Sequence, residues 1–108
     1  MSDDSIARFQ RMLDQNPGNG LARFSLAKAL FDAGRHAEAS AHFQAAVNTK
    51  PDWMLAHILL GKCHLQLGAR DAARAAFETG LRLAIEQRHE GPQAEMESML
   101  AELKGAEA

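Results

Sequence analysis

Five histidines, one cysteine and a few regularly spaced charges are the groups in this chain able to do chemistry. His57, Cys63 and His64 share one stretch, and His36 and His42 share another. Helical zinc sites use an i, i+4 histidine pair, and the spacings here are six and seven; no CxxC pair is present either. No metal is expected. His57 and His64 read instead as histidines satisfied within a core. Cys63 reads as a small buried apolar residue rather than a nucleophile. There is no glycine-rich phosphate loop, no GxSxG elbow, and no Ser/His/Asp or Cys/His arrangement with a supporting context. Neither an enzyme nor a cofactor is expected.

The charged groups read as a solvated surface. Arg74, Glu78, Arg82 and Glu86 alternate at four-residue steps, which makes a helix-face ladder worth ~0.2–0.5 kcal/mol per pair and not an acid–base dyad. Acids and bases nearly cancel, 14 against 12. A nucleic-acid binder would carry a basic excess or stripe, so that class is excluded. Residues 90–108 hold five Glu against Lys104, an acidic segment expected to aid solubility, with contact to a basic partner as the competing reading.

These side chains must be carried by helices. The chain has 21 Ala and 13 Leu but one Val, three Ile and no Tyr, so it lacks the β-branched and aromatic residues that fill a pleated face. Ala and Leu lose little on entering a helix. A lone cysteine forms no internal disulfide, so stability must come from packed apolar surface. The acidic start lacks the basic-then-apolar order of a signal peptide, and no apolar run approaches the ~20 residues that cross a bilayer. A cytoplasmic protein without membrane contact is expected.

The chain repeats itself. At an offset of 34 residues Phe9, Phe43 and Phe77 coincide, as do Ala7, Ala41 and Ala75, Gly34 and Gly68, Lys28 and Lys62, and Pro17 and Pro51. Ala-rich chains align Ala by chance; they do not so align Gly, Pro and three Phe. Leu21, Phe24, Leu26, Ala27, Leu30 and Phe31 recur at helical spacing until Gly34. Ala39, Phe43, Ala46 and Val47 follow, stopped before Pro51, with Asp52 expected to cap the next helix. Trp53 through Leu67 and Asp71 through Arg88 repeat the pair about Gly68, and the two glycines are expected to supply positive φ. The small residues Ala27, Gly61, Ala39, Ala46, Ala73 and Gly80 are expected to let helices approach, with Phe43 and Phe77 filling the gap beside them.

Leu26-Ala27, Gly34, Ala39, Phe43, Ala46 and Pro51, and again Leu60-Gly61, Gly68, Ala73, Phe77 and Gly80, resemble the tetratricopeptide repeat family. The family's early Trp is replaced by Arg23 and His57, its later aromatic by Leu30 and His64, and its closing Pro by Ile85. That last change predicts a final repeat helix running toward His89 and ended by Gly91-Pro92. The resemblance implies an all-α, right-handed solenoid of antiparallel helix–turn–helix repeats forming a single domain over 1–108. Its parts would be a half-repeat helix over 5–17, repeats over 20–52 and 54–89, and a capping helix over 92–104 carrying Met96, Met99, Leu100 and Leu103. The competing reading of that last helix is a dimerisation face or a lid.

The resemblance further implies a non-catalytic protein- or peptide-binding scaffold. Its concave face would present Leu21, Phe24, Lys28, Phe31, Asp32, Leu55, Ile58, Lys62, Leu65 and Gln66. Two stacked lysines among apolar neighbours would suit a peptide with an acidic group beside an apolar anchor. The competing reading has flanking helices covering Leu21, Phe24, Ile58 and Leu65. The carboxylate clamp for acidic chaperone tails would need a basic residue at Phe24 and Asn at Lys28 and Leu59, so that ligand is disfavoured. The second functional reading is a homo-oligomer, a homodimer at its simplest, in which the apolar face makes the chain a piece of a larger assembly.

Overall fold

The computed structural model describes residues 2–107, and among them there are six helices and no strand. They are α1 Ser2–Gln15, α2 Gly20–Asp32, α3 His36–Thr49, α4 Met54–Gln66, α5 Arg70–Glu86 and α6 Glu90–Glu107. Each helix packs on the next along the chain, and α2 also touches α4, giving a stack of 45 × 27 × 22 Å. The hairpins α2–α3 and α4–α5 cover the residues expected to form the two repeats, and α1 covers most of those expected of a half-repeat helix.

The turns follow local chemistry. Gly34 and Gly68 take φ of +80° and +78°, as their positions demanded. Their turns close with Arg35 N–H donating to Leu30 and Ala69 N–H donating to His64, both at 2.9 Å. The same left-handed closure recurs between α5 and α6, where the positive φ, 60°, falls on Arg88 and His89 N–H donates to Ala84 at 2.9 Å. So α5 stops before the expected Gly91-Pro92, and those residues lie in the first turn of α6 instead. Proline is tolerated there because the first N–H groups of a helix have no intrahelical acceptor. Asp52 is also not the expected cap. Trp53 occupies that place with no side-chain bond, while Asp52 faces Lys50 at 3.7 Å and its carbonyl accepts from Gln87 Nε2 at 3.0 Å. Asn19 is a side-chain cap, its Oδ1 accepting from Ala22 N–H at 3.1 Å.

The core alternates large and small side chains, as the repeat required. Ala27, Ala39, Phe43, Ala73 and Phe77 are fully buried. A Cβ added to Gly61 would lie 2.5 Å from the Phe77 ring, so the glycine is what lets α4 and α5 close on each other. One apolar cluster runs from Leu13 on α1 to Cys63 on α4; a second joins Ile58, Ala73, Phe77, Met96 and Leu103. The helix α4 belongs to both. Phe9 is only half-buried, because among the described residues no first helix lies over it.

Candidate functional site

The residues expected on the shared face of the first helices separate into three groups. Leu21 and Leu55, at equivalent positions of the two repeats, are 74% and 44% exposed. Lys28 and Asp32 are exposed and pair with each other at 3.3 Å, and Gln66 is exposed. Phe24 and Phe31 are half-buried and held by rings. Phe24 stacks on Trp53 at 4.6 Å between centroids and meets Phe43 edge-on at 5.6 Å; Phe31 meets His36 edge-on at 5.1 Å.

The third group lies under α6. Ile58, expected at the surface, is 2% exposed and packs in the cluster of Met96 and Leu103; it is a core residue. Leu65 is half-buried against the same cluster. Lys62 is not a free partner of Lys28, since its Nζ meets Glu95 of α6 at 3.0 Å. The terminal helix therefore closes the far end of the face, and the near end, beside α1 and α2, stays open. A groove of ≈ 270 Å³ there is lined by Ser5, Phe9, Phe24, Ser25, Lys28, Ala29 and Asp32.

Two contributors were missed from sequence. Trp53, expected only to begin a helix, is the partner that fixes Phe24. Glu95 lies 33 residues from Lys62, beyond any local pattern. Phe9 carries a usable signal, since it matches Phe43 and Phe77 in the repeat while no first helix precedes it among the described residues.

Several other titratable groups are held by their surroundings. His57 and His64 are half-buried at the edge of the stack rather than in the core expected of them, and His57 Nε2 contacts the Pro51 carbonyl at 2.8 Å. Arg23 donates to His42 Nδ1 at 3.2 Å; burial first, and the Arg23 charge second, hold the imidazole below its usual pKa. Cys63 is fully buried, which pushes its thiol up to about 11 and keeps it protonated at neutral pH. Arg82 meets Glu86 at 3.2 Å, as the ladder required, whereas Arg74 meets Asp71 at 3.0 Å. Among the described residues no three His, Cys, Asp or Glu side chains converge on a point where a metal could sit. No helix among the described residues is long and apolar enough to cross a membrane.

Stacked helical hairpins, small residues at the close approaches and a partly open face of first helices define a short helical-repeat scaffold. The chain belongs to the tetratricopeptide repeat family, whose profile matches residues 3–56 and 34–103. It is 31% identical over 106 residues to the Hsp70-Hsp90 organizing protein of Triticum aestivum; the match takes in 98% of this chain and 17% of that much longer protein. Pseudomonas aeruginosa PcrH in complex with the chaperone binding region of PopD superposes with a TM-score of 0.92 at 22% identity, over 99% of this chain and 81% of that one. The first repeat domain of Spaghetti bound to an HSP90 peptide superposes at 0.84, with 22% identity, over 97% and 79%. At that identity the two structures speak for the fold.

Proposed function

We propose that this domain is a non-catalytic peptide-binding scaffold that uses the open part of its first-helix face. The observation that carries the reading is the exposure of Leu21 and Leu55 at matching repeat positions, with Lys28 exposed two turns after Leu21 on α2. Burying two aliphatic side chains supplies affinity, at ~1.5–3 kcal/mol for each fully covered one. An exposed lysine steers an acidic group toward them. Two of the similar structures hold peptide segments of other proteins, which supports the same use here. The ligand is an extended segment with an apolar anchor and a neighbouring carboxylate. It is not an acidic chaperone tail held by a carboxylate clamp, because Phe24, Lys28 and Leu59 stand where that clamp's basic and Asn residues would be needed.

The test is selection of peptides from a displayed random library, followed by titration against variants. Leu21→Asp/Leu55→Asp is expected to weaken the selected peptides at least tenfold without lowering the thermal midpoint, and Lys28→Glu to weaken the acidic ones. Selected peptides that bind all three proteins equally would rule out this face.

A further inference from the structure

We propose that the cleft around Arg23, at the base of the first repeat, binds a compact carboxylic acid whose apolar part is a flat ring. This goes beyond the peptide-binding reading and uses neither Leu21 nor Leu55.

The two repeats fill one equivalent place differently. Arg23 and His57 stand 34 residues apart at matching positions, as do Pro17 and Pro51. The His57 ring reaches the Pro51 carbonyl at 2.8 Å and so lies along the turn before its own helix. Arg23 extends toward α3 instead. Its Nη1 donates to His42 Nδ1 at 3.2 Å, and Nη2 reaches the Pro17 carbonyl only at 3.5 Å. Between the turn that leads into α2 and the C-terminal half of α3 there is a cleft of ≈ 240 Å³.

Its walls are preformed and largely apolar. Ala45, Ala46 and Thr49 follow His42 at spacings of three, four and seven, so one stripe of α3 gives a floor of short side chains. The Thr49 hydroxyl is already engaged, donating to the Ala45 carbonyl at 3.0 Å. Trp53 closes the far side, and its indole is fixed by stacking on Phe24 at 4.6 Å between centroids. A flat ring packs well against such a wall. A cavity of roughly 150 Å³ already admits benzene, so this one has room for a ring with a short acid arm.

The charge in the cleft calls for the acid. Arg23 is half-buried, and among the described residues no carboxylate pairs with it. Its two partners are neutral: an imidazole held below its usual pKa and a backbone carbonyl at the limit of bonding distance. A guanidinium has further N–H donors in a planar fork that matches the two oxygens of a carboxylate. The nearby acids are committed elsewhere. Glu38, which acts on His42, is held by Arg35 through two bonds of 2.8 Å. Lys50 stands at the exposed rim, where Asp52 at 3.7 Å offsets part of its charge, so Arg23 carries the recognition.

The experiment is a titration of the full chain with phenylpropionate, followed by NMR at the Trp53 indole N–H and the Ala45, Ala46 and Thr49 amides. Saturable shifts confined to these signals are expected at about millimolar concentration, the affinity an acid of this size reaches. Phenylpropionamide keeps the ring without the charge and acetate keeps the charge without the ring; each is expected to bind about tenfold more weakly or worse. Two variants separate charge from space. Arg23→Gln is expected to lower the preference for acid over amide to about one. Ala45→Leu, at a half-buried position, is expected to fill the cleft and abolish binding of both. Acetyl-Gly-Gly-Phe distinguishes the sources: binding tighter than phenylpropionate assigns the cleft to a peptide end, weaker binding to a free acid. The proposal is overturned by shifts that do not saturate by about 50 mM phenylpropionate, or by equal binding of acid and amide to wild type. An Arg23→Gln protein that keeps the preference overturns it too, as does an Ala45→Leu protein that binds like wild type. Peptide titration against Leu21→Asp/Leu55→Asp reports separately on the first-helix face.

Discussion

At the level of single residues the sequence was most informative where volume decides. Phe43, Phe77, Ala27, Ala39 and Gly61 were identifiable because a stack of helices tolerates a ring only beside a missing side chain, and all five are buried. Phe77→Ala is expected to cost roughly 3–5 kcal/mol in a urea melt through the cavity it leaves. Gly61→Ala is expected to cost about 1–3 kcal/mol despite the better helix propensity of Ala, because the new methyl group lands on the Phe77 ring. Gly20→Ala, with nothing within 4 Å, is expected to change little. A Gly61→Ala chain as stable as wild type would place Phe77 elsewhere. His57 and His64 were harder to read, since a half-buried edge and a core share the same spacing. His42 has a measurable signature. Its imidazole accepts from Arg23 and stays neutral, with a folded pKa below the unfolded value near 6.5. The unfolded chain therefore binds the proton more readily, and this contribution is intact above about pH 6.5 and declines as pH falls through the window beneath it. Urea midpoints measured between about pH 5 and 8 are expected to drop on the acid side, and His42→Gln to flatten that part of the slope. An identical slope in both proteins would show that the Arg23 contact carries no proton linkage.

At the level of helices, boundaries marked by glycine were legible and the boundary marked by arginine was not. Gly34 and Gly68 announce a left-handed residue because they lack a Cβ; Arg88 adopts the same geometry with nothing in its side chain to advertise it. The Gly91-Pro92 pair consequently looks like a stop in the sequence, although it stands within the first turn of the following helix, where a proline nitrogen gives up no hydrogen bond. The strain at Arg88 makes its own forecast. Left-handed backbone costs a residue with a Cβ about 1–2 kcal/mol, so Arg88→Gly is expected to raise stability by about 1 kcal/mol once the greater freedom of the unfolded glycine is offset. The thermal midpoint should rise accordingly. A fall would mean that the Arg88 side chain contributes more than its backbone costs.

At the level of the whole molecule, the stack was legible but the cover over its face was not. The repeat fixes which helices are neighbours. The contact that joins α4 to α6 through Lys62 and Glu95 depends on how far the last helix leans over the preceding pair, and no periodicity encodes that. The consequence is an uneven molecule. The helix α4 contributes to both apolar clusters, whereas α1 enters the core chiefly through Leu13 and leaves Phe9 half-covered. In a quasi-one-dimensional array each unit is stabilised only by its neighbours, so opening should begin at the edges. Amide exchange is expected to be fastest in α1, slowest in α4, and intermediate in α6, which is anchored by Met96, Leu103 and the Glu95 pair. Equal protection of α1 and α4 would contradict a stack with a weak edge.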